Sequence, residues 1–409
     1  MKILNRYLCA LAVPLLLCGC GGSSGGSSSS APPPATPPPA PAAHNELAIT
    51  VNGTSCLNNS YSNKPCASVT ICSPGTSNCQ TIDGILLDTG SYGLRIFKQA
   101  LTNIPLTQVT NSSGVSVAEC IQFGDGSSLW GPVQTAGVVL GGEPAVQVPV
   151  QVIDATFGTP PAACSNAGTS PQAAGINGIL GVGVLDQDCG SACVKNSDIG
   201  IYFACTGASC SGSTVSLASQ VRNPVALLPT DNNGVIIRLP AVPPSGASFL
   251  NGTMLLGIGT QTNNTLSGVT TYATNPAGEF TTVFNGVTQS HSFIDTGSNM
   301  LFFDNAPASL PACPAPNGQF YCPPATTTLS ATNSSASGSP SGAVSFQIAN
   351  FNSLLATSNQ VFSNMGGNLF GNINSGTFDW GLPFFLGRNV AVGLAGTSSN
   401  LGTGPYWAY

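Results

Sequence analysis

Histidine is nearly missing from this 409-residue chain, which has only His44 and His291. Charge is almost as scarce: nine Lys and Arg stand against fifteen Asp and Glu, 6% of side chains are charged, and the net charge is −6. Each shortage removes a class of chemistry. Without a basic stripe there is no surface for a nucleic-acid backbone. A Ser-His-Asp or Cys-His enzyme would need His291 as its base, and no nucleophile accompanies it; a surface place on a strand is the simpler reading. Zinc hydrolysis lacks its histidines, and the cysteines form no Cys-x-x-Cys pair. The phosphate-binding loop that ends in Gly-Lys is absent too. The expectation is a protein with no cofactor, no metal and no nucleic-acid partner.

What is plentiful is glycine, at 49, and proline, at 32, among Thr-, Ser- and Val-rich stretches. That composition favours an all-β chain with many turns and few short helices. The length allows one large or two medium domains with a sizeable core. Lys2 and Arg6 precede an apolar run, Leu8 to Leu17, that is too short to span a bilayer. It closes on Leu17-Cys18-Gly19-Cys20, similar to the bacterial lipoprotein signal. Residues 1–19 therefore read as a signal peptide and Cys20 as a lipidated N-terminus. Residues 20–44 read as a linker, Gly/Ser-rich and then Pro-rich, between a membrane and the folded part. An ordinary secretory leader is the alternative. Gly21 after Cys20 favours the outer membrane of a bacterial envelope, with the folded part periplasmic or surface-exposed. Twelve cysteines lie beyond Cys20, an even number that reads as a disulfide framework in an exported chain. Cys205–Cys210 and Cys313–Cys322 are plausible local closures, and the remaining connectivity stays open.

Two stretches organise the rest. Ile85-Leu86-Leu87 runs straight into Asp88-Thr89-Gly90-Ser91, and Phe293-Ile294 runs into Asp295-Thr296-Gly297-Ser298. A carboxylate at the end of an apolar strand is costly to desolvate without partners. One Asp-Thr-Gly could be an ordinary turn. A matched pair, among only eleven aspartates, asks for a joint role. The echo extends further: about ninety residues after each acid come two apolar residues and a glycine, Ile179-Leu180-Gly181 and Phe385-Leu386-Gly387. Strands are expected over 46–52, 133–140, 146–153 and 235–239, and a hairpin turn at Phe123-Gly124-Asp125-Gly126-Ser127. Residues 56–79 and 189–210 read as looped segments pinned by disulfides. The Ser/Thr/Ala/Gly-rich stretch 325–342 is expected to be a mobile surface insertion. The folded part divides into lobes at 45–235 and 236–409.

Two aspartates within hydrogen-bond reach cannot both ionise cheaply, so they share one proton. The ionised one can take a proton from a water held between them while the other protonates a scissile carbonyl. Gly90 and Gly297 let the chain turn sharply and bring backbone N–H groups toward the carboxylates. Thr89 and Thr296 are placed to bond across a pseudo-twofold axis. Ser91 and Ser298 are placed to donate to the outer carboxylate oxygens, which should lower the pair's pKa values.

With these motifs the chain resembles the pepsin-like aspartic peptidases over nearly all of its folded part, in the form of a proteobacterial lipoprotein. The resemblance implies a bilobal fold of two pseudo-twofold-related β lobes, a monomer, and peptide or protein substrates. It implies Asp88 and Asp295 as the catalytic pair, with Thr89, Gly90, Ser91, Thr296, Gly297 and Ser298 in support. Phe123, Gly124, Asp125 and Gly126 would form the flap over the cleft. Gly178–Gly181 and Phe385–Gly387 would close the two lobes, and Gly252–Gly257 would open the second. The chain departs from the family where Phe123 replaces the flap tyrosine and where Tyr92-Gly93-Leu94-Arg95 replaces Ser-Asn-Leu-Trp. The linker also lacks the basic residues of an inhibitory pro-segment. Three functions remain in view. They are an aspartic endopeptidase, a catalytically weak or inactive pepsin-like binding or inhibitory lipoprotein, and a surface module whose acids only cap turns.

Overall fold

Runs of Val, Ile and Thr, broken by Gly and Pro, become strands along almost the whole chain. The computed structural model describes residues 44–58, 61–368 and 376–409. The expected signal peptide, Cys20 and nearly all of the linker lie outside the described residues. The fold is all-β: the α-helices described are single turns at Pro171–Ala174, Ser191–Lys195 and Phe351–Leu355. None is long and apolar enough to cross a membrane.

Six strands close on themselves as a barrel. Pro65–Cys72 pairs with Cys79–Asp88, which pairs with Gly178–Val182, then Tyr92–Phe97, Val146–Ile153 and Ser128–Val139, which returns to Pro65–Cys72. From Pro65–Cys72 the sheet also continues through Glu46–Val51, Leu250–Leu256, Gly234–Leu239, Arg388–Gly393, Tyr406–Ala408 and Thr271–Ala273. Chain from both halves is interleaved here, and the boundary expected at 235/236 falls inside the Gly234–Leu239 strand. A separate seven-stranded sheet carries the second acid, its centre formed by Val287–Ile294, Phe378–Trp380 and Leu301–Phe303. One apolar cluster runs through both parts, including Ile85, Leu87 and Leu180 from the barrel and Ile294, Leu301 and Trp380 from the second sheet.

One three-strand arrangement occurs twice. Cys79–Asp88 lies parallel to Gly178–Val182, and Tyr92–Phe97, which follows the first tetrapeptide, lies antiparallel on its other side. Val287–Ile294 lies parallel to Phe378–Trp380, with Leu301–Phe303 antiparallel beyond it. This corrects the expected second closing motif. Phe378-Asp379-Trp380-Gly381 sits beside the second acid, where the Asp295 N–H donates to the Trp380 carbonyl at 3.0 Å. Phe385-Leu386-Gly387 instead turns the chain toward the large sheet, and its Gly387 N–H donates to Leu239. The stretch 325–342 is also not the mobile insertion expected of it. Thr327–Ser334 is a strand in eight-residue register with Ser341–Ile348. Its alternate residues Ala331 and Asn333 are buried, and Thr and Ser suit the wet face.

All twelve cysteines pair: 56–66, 72–79, 120–164, 189–193, 205–210 and 313–322. The two expected local closures are among them. Cys120–Cys164 closes the longest loop, with a sequence separation of 44, and Cys189–Cys193 the shortest, with 4. By loop entropy the first contributes about 4 kcal/mol and the second about 2 kcal/mol. Urea unfolding of the Cys120→Ala/Cys164→Ala protein is therefore expected to show the larger loss of the two double variants. A reversed order would mean that local geometry outweighs the constraint on the unfolded chain.

Candidate active site

Two apolar strands deliver their acids to one point. Ile85 and Leu87 are fully buried, and Asp88 at the strand end is only 5% exposed. Ile294 is buried likewise, and Asp295 follows it with part of its surface open. The threonines lock the two turns together. The Thr89 N–H donates to Thr296 Oγ1 at 3.1 Å, and the Thr296 N–H to Thr89 Oγ1 at 3.0 Å. Thr89 Oγ1 donates onward to the Ile294 carbonyl at 2.9 Å, and Thr296 Oγ1 to the Leu87 carbonyl at 2.7 Å. Each hydroxyl thus gives one bond and receives one, so a buried polar crossing is fully satisfied.

The carboxyls of Asp88 and Asp295 converge on one backbone N–H. The Gly90 N–H donates to Asp88 Oδ1 at 2.8 Å and also faces Asp295 Oδ1 at 3.1 Å. The Gly297 N–H donates to Asp295 Oδ1 at 2.7 Å. Both inner oxygens therefore meet backbone N–H groups. Glycine is required at both positions by close approach. A Cβ on Gly90 would fall 2.6 Å from the Asp295 carboxyl carbon, and one on Gly297 2.8 Å from Asp88 Oδ1. The outer oxygens meet serines: Ser91 Oγ donates to Asp88 Oδ2 at 2.5 Å, and Ser298 Oγ lies 2.9 Å from Asp295 Oδ2.

The expected lowering of the pair's pKa values does not hold for Asp295. Burial, then the neighbouring carboxyls of Asp88 and Asp379, hold its acid well above the usual carboxylate range, and the Ser298 contact only partly opposes them. Asp379 is a site residue that the sequence does not single out. It is buried in the Phe378–Trp380 strand, with Oδ2 2.5 Å from Ser298 Oγ. Its signal was available as a carboxylate inside an apolar aromatic run.

Phe123 to Ser127 does form the turn of a hairpin, joining Ser116–Gln122 to Ser128–Val139. The Phe123 N–H donates to Ser127 and the Gly126 N–H to Phe123, while Asp125 Oδ1 accepts from the Ser127 N–H at 2.8 Å. Gly124, Asp125 and Gly126 are thus turn residues, and the Phe123 ring packs against an apolar cluster that includes Leu86, Leu129 and Ile179. Tyr61 stands among the carboxyls: burial, then Asp88, Asp125 and Asp295, raise its phenol. No sequence pattern marks it. Tyr92 is raised likewise by burial and by Asp88, Glu279 and Asp295. Arg95 points away into the protein and bonds Glu119 and Asp188. His291 is exposed on its strand, as expected, with Nδ1 3.0 Å from Glu279. Among the described residues no group of three or more His, Cys, Asp or Glu could hold a metal ion.

The model of a family described as "Protein of unknown function (DUF3443)" matches residues 41–409. No curated protein matches the chain.

Proposed function

The chain belongs to the DUF3443 family, and we propose that this member is an aspartic endopeptidase with a bilobal, pepsin-like build. The observation that carries the reading is the Gly90 N–H shared between the two carboxyls, 2.8 Å from one and 3.1 Å from the other. Such an arrangement keeps two acids together at the distance where one proton serves both. Asp88 takes a proton from the attacking water. Asp295, whose acid form is favoured by burial and by its neighbours, gives a proton to the carbonyl oxygen of the scissile peptide. The tetrahedral intermediate then collapses as the leaving nitrogen is protonated from the pair. The repeated three-strand arrangement around each acid supports the bilobal reading. The Phe123–Ser127 hairpin is the candidate flap, and a lipid on Cys20 would hold the enzyme at the bacterial outer membrane.

The test is hydrolysis of a peptide library from pH 3 to 7, with wild type beside Asp88→Asn. Cleavage that vanishes in the variant supports the reading. Equal signal in both proteins would sink it. A second reading, a peptide-binding or inhibitory protein without turnover, is favoured by Phe123, whose ring is packed into an apolar cluster and has no hydroxyl to offer a substrate. It predicts retained peptide binding with no cleavage by wild type.

A further inference from the structure

The repeated arrangement around the two acids differs at one position. In the first half Ile179 pairs with Leu86 beside Asp88. In the second half the corresponding partner of Phe293 is Asp379. An apolar residue on one side is a carboxyl on the other. Asp379 is 4% exposed, and its Oδ2 lies 2.5 Å from Ser298 Oγ. The same Oγ lies 2.9 Å from Asp295 Oδ2. The counterpart Ser91 Oγ contacts only one carboxyl, that of Asp88.

A serine hydroxyl carries one proton and cannot donate to two carboxylates. With both contacts at hydrogen-bond distance, one of the two acids must carry a proton and donate it to Ser298 Oγ. Asp379 is the better holder. Its Oδ1 has no hydrogen-bond partner among the described residues, so its ionised form would be buried with one bond. The groups around it are also acidic. Asp295 follows the strand paired on one side, and Asp88 acts on it from the other half of the site. The strand on its other side, Leu301–Phe303, has no titratable residue. His291, on the second acid's strand, is turned outward to Glu279. Burial accordingly holds the Asp379 carboxyl well above the usual range; Ser298 opposes this and Asp88 reinforces it.

We infer that Asp379 is a third carboxyl of the site, a positioning acid that keeps a proton on Ser298 and shares it with Asp295. The transfer balances. A proton leaves Asp379 Oδ2 for Ser298 Oγ as the hydroxyl's own proton passes to Asp295 Oδ2, and the negative charge moves to Asp379. The unit holds two protons over three carboxyls. The negative charge left on Asp379 after the transfer opposes ionisation of the pair, so the pair keeps its shared proton to a higher pH than two aspartates alone would. A buried acid reserve of this kind extends an aspartate pair toward neutral pH. The consequence for rate rests on the peptidase reading; the proton inventory does not.

The experiment uses the full chain, with wild type beside Asp379→Asn and Asp379→Leu. Infrared difference spectra at pH 7 are expected to lose one carboxylic-acid C=O band in each variant, and an unchanged band would overturn the inference. In peptide hydrolysis, Asp379→Asn can still donate an N–H to Ser298, so it should lose less rate at acid pH than Asp379→Leu. The alkaline limb of kcat/KM should fall about one pH unit earlier in both variants, roughly a tenfold loss on that limb. A merely structural role would lower the rate at every pH and leave the limb in place, which would also overturn the inference. If wild type cleaves nothing, the peptidase reading fails and the infrared result alone decides the role of Asp379.

Discussion

Asp295→Asn is expected to lower peptide hydrolysis by at least ~10³-fold and, in the same protein, to raise the melting temperature at pH 7. The two effects have opposite signs because they have one cause. An amide fills the same space and keeps a contact with Ser298, but it cannot carry the shared proton, so the acid step is lost. The stability gain follows from linkage. The folded-state pKa of Asp295 is raised above its unfolded value, by burial first and then by Asp88 and Asp379. Below the ordinary carboxylate range both states are protonated and the residue costs nothing. As pH rises from that range through the raised folded value, the unfolded chain ionises more readily and folding stability is lost. Asparagine removes that loss. The variant should therefore match wild type in acid and melt higher at pH 7, by about 1–2 °C for each kcal/mol recovered. Thermal scans from pH 3 to 8 on the two proteins measure it. A lower melting temperature at pH 7 would mean that Asp295 is stabilised by its site, and the shared-proton account would have to be abandoned.

The sequence carried the outline of this site but not its depth. Asp88 and Asp295 were legible because an acid directly behind an apolar strand end, Ile85-Leu86-Leu87 or Phe293-Ile294, is costly unless it has a partner. The partner was legible because the same tetrapeptide recurs. The closing strand of the second half was not. Spacing favours Phe385-Leu386-Gly387, since it repeats the apolar-apolar-glycine order of the first half, whereas Phe378-Asp379-Trp380-Gly381 breaks that order with a charge. Pairing in space decides otherwise, as Phe293 lies opposite Asp379 and Ile294 opposite Trp380. The residue that hid the motif is also the one that alters the chemistry. Residues 325–342 misled for a different reason. Low complexity suggests mobility when only composition is considered, but Thr and Ser are good strand residues once a neighbouring strand supplies the hydrogen bonds. The disulfides show the same limit. Their even number pointed to a framework, and most of their connectivity needed the fold.

Arg95→Leu is expected to be among the most destabilising single changes in the protein, although Arg95 touches neither Asp88 nor Asp295. Its guanidinium is completely buried, as is Glu119. One of its nitrogens donates to Glu119 Oε1 at 2.7 Å and Asp188 Oδ2 at 2.9 Å, another to the Tyr92 carbonyl at 2.8 Å. Tyr202 adds its hydroxyl to Asp188 Oδ1 at 2.6 Å and itself receives the Val221 N–H. Burial and the neighbouring Glu119 hold the Asp188 carboxyl well above its usual range even with the guanidinium present. Leucine would leave the two buried carboxyls facing each other without their cation, a loss of about 3–5 kcal/mol. The loss should grow between mildly acid and neutral pH. Without Arg95 the two buried carboxyls must stay protonated in the folded state, so the already raised folded pKa of Asp188 rises further, and stability falls as pH passes from the unfolded range upward. Urea unfolding at pH 4.5 and 7.5 measures both parts, and a loss under about 1 kcal/mol at pH 7.5 would show that the cluster is not energetically coupled. Changing all three charged residues to apolar ones of similar volume should recover much of the stability, since desolvation then disappears with the charges. That triple variant should still be impaired in hydrolysis. Arg95 follows the first tetrapeptide and Glu119 lies in the strand leading to Phe123, so their ion pair ties the candidate flap to the strand beside Asp88. A buried charge does the tying, and removing it should separate stability from turnover.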